Sequence, residues 1–224
     1  MDILARIVVA ALSVGLASPL RSQSATLSCT EDEASALRQA PLGAARVSPE
    51  RLTVNWAGGS VVFADSGTEE GTLAGTAYRY CGFDATVGVH LIHKDAGDVG
   101  TGVLLVEASG RILPGGQEVS FAPDGRRYFA TAQPDGLDGE EWYIYTRHGS
   151  QIWEGVSLII RRHSRAKYDY SFATLNQPHW SSAGELQATL TCENGPAGQA
   201  ATVTLTRVGR RWRWVPVIAC PRPS

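Results

Sequence analysis

Near its C-terminus the chain is written in alternation. Leu186, Ala188, Leu190 and Cys192 are separated by Gln187, Thr189 and Thr191, and Ala201, Val203 and Leu205 by Thr202, Thr204 and Thr206. A period of two sends successive side chains to opposite faces, which fits half-buried strands and no helix. A third segment, 211–217, follows the turn Val208-Gly209-Arg210 and completes an antiparallel meander over 185–220 with one face buried.

The same vocabulary runs back through a strand-rich body over 51–182. Segments 52–56 and 60–65 flank Ala57-Gly58-Gly59, a hairpin signature. Further strands are predicted at 77–81, 87–93, 101–106, 118–121, 128–133, 141–146, 151–154, 156–161 and 168–175. The breaks carry turn chemistry: Ser109-Gly110, Pro123-Asp124-Gly125, Pro134-Asp135-Gly136 and His148-Gly149. One helix is predicted, over 30–40. Thr30 and Glu33 form a capping box, Glu31 and Asp32 suit the positive helix end, and Pro41 stops it.

These elements predict an all-β fold: an antiparallel two-sheet sandwich or partly open barrel with one short N-terminal helix. The alternative is a set of degenerate propeller-like blades. Glu107 to Gly115 and Thr146 to Gly155 are similar turns, with Phe121-Ala-Pro-Asp-Gly125 between them. The repeat covers too little of the chain for the four or more blades that a propeller needs.

The first two dozen residues fix the compartment. A short basic start ending at Arg6 leads into the apolar run Ile7 to Leu16, then into small and turn-prone residues through Ser18, Pro19 and Ser24. That is the layout of a secretory signal peptide over 1–24, with an apolar stretch short for a bilayer span. The remainder, 25–224, has the length of a single β domain and carries no later run long enough to cross a membrane. The expected location is periplasmic or secreted.

Four cysteines, Cys29, Cys81, Cys192 and Cys220, then read as two disulfides. Pairing Cys29 with Cys81 and Cys192 with Cys220 closes each loop within its own part of the chain. No C-x-x-C pair and no cysteine–histidine spacing suggests a metal, and no cofactor is expected.

Charge is divided along the chain. Residues 25–146 carry 8 basic and 17 acidic side chains, whereas residues 147–224 carry 10 basic and 4 acidic ones. Two cationic runs stand out: Arg161, Arg162, Arg165 and Lys167 leading into Tyr168, and Arg210, Arg211, Trp212, Arg213 and Trp214. On a strand Trp212 and Trp214 share one face and Arg211 and Arg213 the other. One reading buries the tryptophans beside Leu190 and Leu205 and solvates the arginines. The other joins both runs in a patch that binds an anionic or carbohydrate partner through guanidinium hydrogen bonds and stacking. Nucleic acid is excluded as a partner by the acidic balance and the compartment.

Catalytic signals are sparse. His90 and His93 are three apart, so on a strand their imidazoles diverge. The carboxylates from Asp135 to Glu141 lack calcium-loop spacing, and no G-x-S-x-G elbow is present. The expectation is therefore an exported non-catalytic β domain. It binds an envelope or extracellular protein, including an enzyme it inhibits, or a cell-surface glycan. Alternatives are a glycosidase-like hydrolase using strand-borne carboxylates such as Glu107, Asp138 or Glu141, and an envelope scaffold subunit.

Overall fold

The computed structural model describes residues 24–29, 32–67, 75–97, 99–133, 139–162, 170–193, 200–218 and 220–221. Their strands form four antiparallel sheets, one of them curled as a half-barrel. The first sheet holds β2 (Ala44–Ser48), β3 (Arg51–Trp56) and β4 (Gly59–Ala64). The second holds β5 (Thr76–Asp84), β6 (Val89–Ala96), β7 (Val99–Val106) and β8 (Ile112–Pro114). The third holds β9 (Glu118–Phe121), β10 (Arg127–Ala132), β11 (Glu141–Thr146) and β12 (Gln151–Val156), with β1 (Thr26–Ser28) added beside β9. The fourth holds β13 (Leu158–Arg162), β14 (Tyr170–Trp180), β15 (Leu186–Cys192), β16 (Ala200–Val208) and β17 (Arg211–Val215). Apart from β1, which joins β9 from far upstream, each sheet is a meander of consecutive strands.

Alternation then decides how the sheets stack. On β7, Val103 and Leu105 pack with Leu52, Val54, Phe63, Tyr80 and Ile92, between the first and second sheets. Leu104, on the opposite face, joins Leu91, Val119, Tyr128 and Ala130 between the second and third. On β11, Tyr145 faces that second layer. Trp142 and Ile144 face a third one, with Leu175, Ala188, Leu190, Val203 and Leu205 of the fourth sheet. Apolar residues on both faces of a strand mark a sheet covered on both sides, and the middle two sheets are of that kind. The all-β, antiparallel expectation holds.

Three strands escaped the sequence reading. β1 and β8 have three residues each, too few to display a period, and β2 leaves Val47 62% exposed. β14 runs on past the predicted end at 175 through a register shift between Asn176 and His179, where Gln177 has φ 53°. The helix is shorter than the predicted 30–40: α1 is Glu33–Arg38, and Asp32 caps it by accepting the Ser35 N–H. Thr30 lies outside the described residues. Glu33 is the first helical residue, directly after the Asp32 cap. Its carboxylate accepts from Arg46 Nε at 2.9 Å and from the Tyr80 N–H at 2.8 Å, so it ties the helix to the first two sheets.

Both disulfides form in the expected pairing. Cys29 follows β1 of the third sheet and Cys81 lies in β5 of the second, so that link crosses the seam between them. Cys192–Cys220 fastens the C-terminus to β15. No helix among the described residues is long and apolar enough to cross a membrane.

Candidate functional site

The seam between the second and third sheets opens into a polar cleft at the end where β6 finishes and β9 begins. Its volume is about 350 Å³, and Arg79, His93, Gln117, Glu118, Thr131 and Glu140 line it with Ser28 and Cys29. The pairing brings them together. Arg79 stands opposite His93 across β5 and β6, and Glu118 opposite Thr131 across β9 and β10. Tight backbone contact closes the floor. A Cβ on Gly102 would lie 2.3 Å from the Gly116 carbonyl oxygen, and one on Gly116 would lie 2.1 Å from that of Thr131. Only glycine permits such an approach. Gly102 belongs to the stretch 97–102, which resembles a phosphate loop only by glycine count, and it serves this contact.

Arg79 and Glu140 are held by hydrogen bonds to neighbouring elements. Arg79 Nη2 donates to the Cys29 carbonyl oxygen at 2.9 Å, beside the disulfide. The Glu140 carboxylate accepts from Trp142 Nε1 at 3.1 Å, and its N–H donates to Ser157 Oγ at 2.9 Å. Among the described residues none of Arg79, Glu118 and Glu140 makes an ion pair. Burial, and then the charge of Glu140, raises the Glu118 carboxyl above its ordinary range. Burial, reinforced by the Arg79 charge, lowers His93, while Asp95 and the Thr101 backbone act the other way. His93 Nδ1 is buried without a partner. A cleft that holds perturbed carboxyl and imidazole groups side by side is where binding or proton transfer concentrates.

The two histidines diverge as strand geometry requires. His90 is fully buried, its Nδ1 2.9 Å from the Tyr80 hydroxyl and its ring 4.7 Å from that of Phe83. Burial alone lowers it to about 4. No group of histidine, cysteine and carboxylate side chains suited to a metal ion occurs among the described residues.

The described parts of the two cationic runs lie on opposite edges of the fourth sheet. Arg161 and Arg162 end β13, one edge of the fourth sheet, and their side chains are outside what can be described, as are Arg165 and Lys167 altogether. Arg210, Arg211, Trp212, Arg213 and Trp214 belong to the turn and strand of the opposite edge, β17. Four strand spacings separate those edges, roughly 19 Å measured along the sheet. Trp212 and Trp214 pack against the third core layer, and Trp214 meets Trp142 and Trp153 edge to face at 6.0 Å each. They are not offered for stacking. Arg211 and Arg213 are exposed on the outer face, opposite Val208 and Thr206. Of the carboxylates weighed for hydrolysis, Asp138 lies outside the described residues. Glu107 follows β7 at the far end of the seam, and Glu141 accepts from the Tyr143 hydroxyl. Glu140 stood out only as one of the carboxylates from Asp135 to Glu141, and its pairing with Glu118 was missed because the two are 22 positions apart in the sequence and only the fold of β9 through β11 makes them neighbours.

No family model, no curated protein and no solved structure matches this chain.

Proposed function

We propose that the protein is an exported, non-catalytic binding domain, and that the polar cleft holds a hydroxyl-rich unit of a cell-surface glycan. Export is supported by the leader-like N-terminus and by two disulfides that leave no free cysteine among the described residues. The observation that carries the ligand class is the mixed set in one cleft. Arg79 only donates, the carboxyl groups of Glu118 and Glu140 bring acceptor oxygens, and Gln117 and Thr131 both donate and accept. Sugar hydroxyls donate and accept alternately, so they match a mixed set better than a single charge does.

Calorimetric titration of the purified protein with sized envelope saccharides tests the reading. Binding that weakens about tenfold on Arg79→Ala supports it. Saccharide binding that is absent, or indifferent to Arg79→Ala and Glu140→Gln, defeats it. A second reading is favoured by Glu118 and Glu140 themselves. A carboxyl raised by burial, with a second carboxyl lining the same cleft, is the kind of pair that glycoside hydrolysis uses. It predicts slow release of reducing ends from the same saccharides, lost in Glu118→Gln while binding persists.

A further inference from the structure

The opposite mouth of the same seam is built differently. There four hairpin connections converge: 85–88 and 107–111 from the second sheet, 122–126 and 147–150 from the third. They enclose a cavity of about 210 Å³ whose floor is Val87, Val89, Val106, Leu113 and Phe121. Val89, Leu113 and Phe121 are core residues at 4%, 6% and 5% exposure. The rim carries Arg111, Arg147 and His148, and among the described residues no carboxylate lines the cavity.

We propose that this cavity binds a small monocarboxylate with an apolar body, the hydrocarbon against Phe121 and Leu113 and the carboxylate between Arg111 and Arg147. The two arginines come from the two similar turns of the sequence, 107–115 and 146–155, which the stacking of consecutive meanders brings face to face. Their backbones are fixed before any ligand arrives. The Arg147 N–H donates to the Arg126 carbonyl oxygen at 2.7 Å, and the Val106 N–H to that of Arg111 at 2.9 Å. Arg111 Nη2 reaches across to the His148 carbonyl oxygen at 3.2 Å and joins the two walls.

Among the described residues neither guanidinium has an ion-pair partner. Glu107, on the turn that carries Arg111, is not among the residues lining the cavity, and two other acids of this end are engaged elsewhere. Asp84 accepts from the Thr86 and Val87 N–H groups. Asp124, which lines a contiguous hollow shared with Arg147, accepts from the Arg126 N–H and lies 4.0 Å from Arg127. Two forked cations over an apolar floor suit a carboxylate in bidentate pairing. An apolar cavity of about 150 Å³ holds benzene, so this one accepts a body of about six to eight carbons.

The test titrates octanoate and its uncharged analogue 1-octanol against the purified full chain, followed by two-dimensional NMR. Octanoate is expected to shift signals of Val89, Leu113 and Phe121 and to bind about tenfold or more tightly than octanol. In Arg111→Ala/Arg147→Ala that preference disappears while octanol still binds. Arg79→Ala, at the other mouth, leaves octanoate affinity unchanged, so the result stands whether or not the glycan reading does. Equal affinity for the two probes in the unaltered protein, or no shift of the floor residues up to millimolar octanoate, overturns the proposal.

Discussion

One seam between two sheets ends in two unlike mouths. At the first, strand residues themselves reach the opening: His93, Glu118 and Thr131 continue the alternation of β6, β9 and β10 into a cleft of about 350 Å³. At the second the strands stop short, and hairpin turns supply the walls around an apolar floor. The difference shows where polar groups can be held cheaply. A strand position fixes a side chain through the ladder, so a partly buried carboxyl such as Glu118 can be held against its desolvation. A turn position leaves the side chain longer and wetter, which suits arginines that keep their charge. Perturbed acid–base groups therefore gather at the first mouth and exposed arginines at the second.

The widest separation of the two mouths should come from Trp142→Ala. This indole is 1% exposed, meets Phe129 edge to face at 5.4 Å and donates to the Glu140 carboxylate. Its removal opens the layer between the third and fourth sheets and should cost about 3–5 kcal/mol by chemical denaturation. It also frees Glu140, so saccharide binding at the polar mouth should fall even where the variant remains folded. Octanoate binding at the other mouth rests on the opposite face of the third sheet and should survive at temperatures where the variant is native. Parallel loss of both affinities would show that the seam acts as one unit.

Acid offers a finer contrast, since His90 and His93 sit three apart on β6 in unlike surroundings. An unfolded histidine titrates near 6.5, whereas buried His90 titrates at about 4. Between those values the unfolded chain takes up a proton that the folded chain refuses. Stability should thus be fully present above about 6.5 and decline as pH falls toward 4, by up to about 3 kcal/mol from His90. His93 is shifted the same way but stands at the mouth with more solvent and adds less. Urea titrations at pH 7.5 and pH 5 should show this loss largely abolished in Tyr80→Phe/His90→Phe, which removes both partners of the buried hydrogen bond. An undiminished loss in that variant would place the acid sensitivity at the polar mouth instead.

Much of the fold was legible because antiparallel strands announce themselves locally. β9 and β11 fall where turn residues and apolar alternation put them, and 186–192 reads as a strand residue by residue. The disulfide pairing was legible for a similar reason, each bridge closing within its own stretch of chain. What the sequence did not convey is how sheets stack. Whether Trp214 faces a core or a partner depends on which side of β17 meets the third sheet, and the cationic runs look neighbourly until β13 and β17 prove to be opposite edges. The cleft was illegible for the same reason. Arg79, His93, Glu118 and Glu140 come from two sheets, and nothing in the segment of any one of them points to the others. Only the repeated turns at 107–115 and 146–155 hinted that equivalent positions would meet.

The smallest effect concerns whether the polar mouth is held at a cost to stability. Burial and Glu140 raise the Glu118 carboxyl above its unfolded value. A carboxyl raised on folding binds more protons folded than unfolded as pH passes upward through its ordinary range, so its contribution to stability shrinks as pH rises. Glu118→Gln keeps the shape and removes the charge, and at pH 7 it should stabilise the protein by a few tenths of a kcal/mol, since solvent at the mouth screens much of the effect. The gain should vanish below about pH 4, where the native carboxyl is already protonated. The equivalent change at the basic mouth, Arg147→Gln, should be neutral at both pH values, because an exposed arginine without an ion pair neither gains nor loses on folding. Thermal unfolding of the two variants side by side measures this. A stabilising Arg147→Gln with an inert Glu118→Gln would reverse the comparison and make the turn-built mouth the strained one.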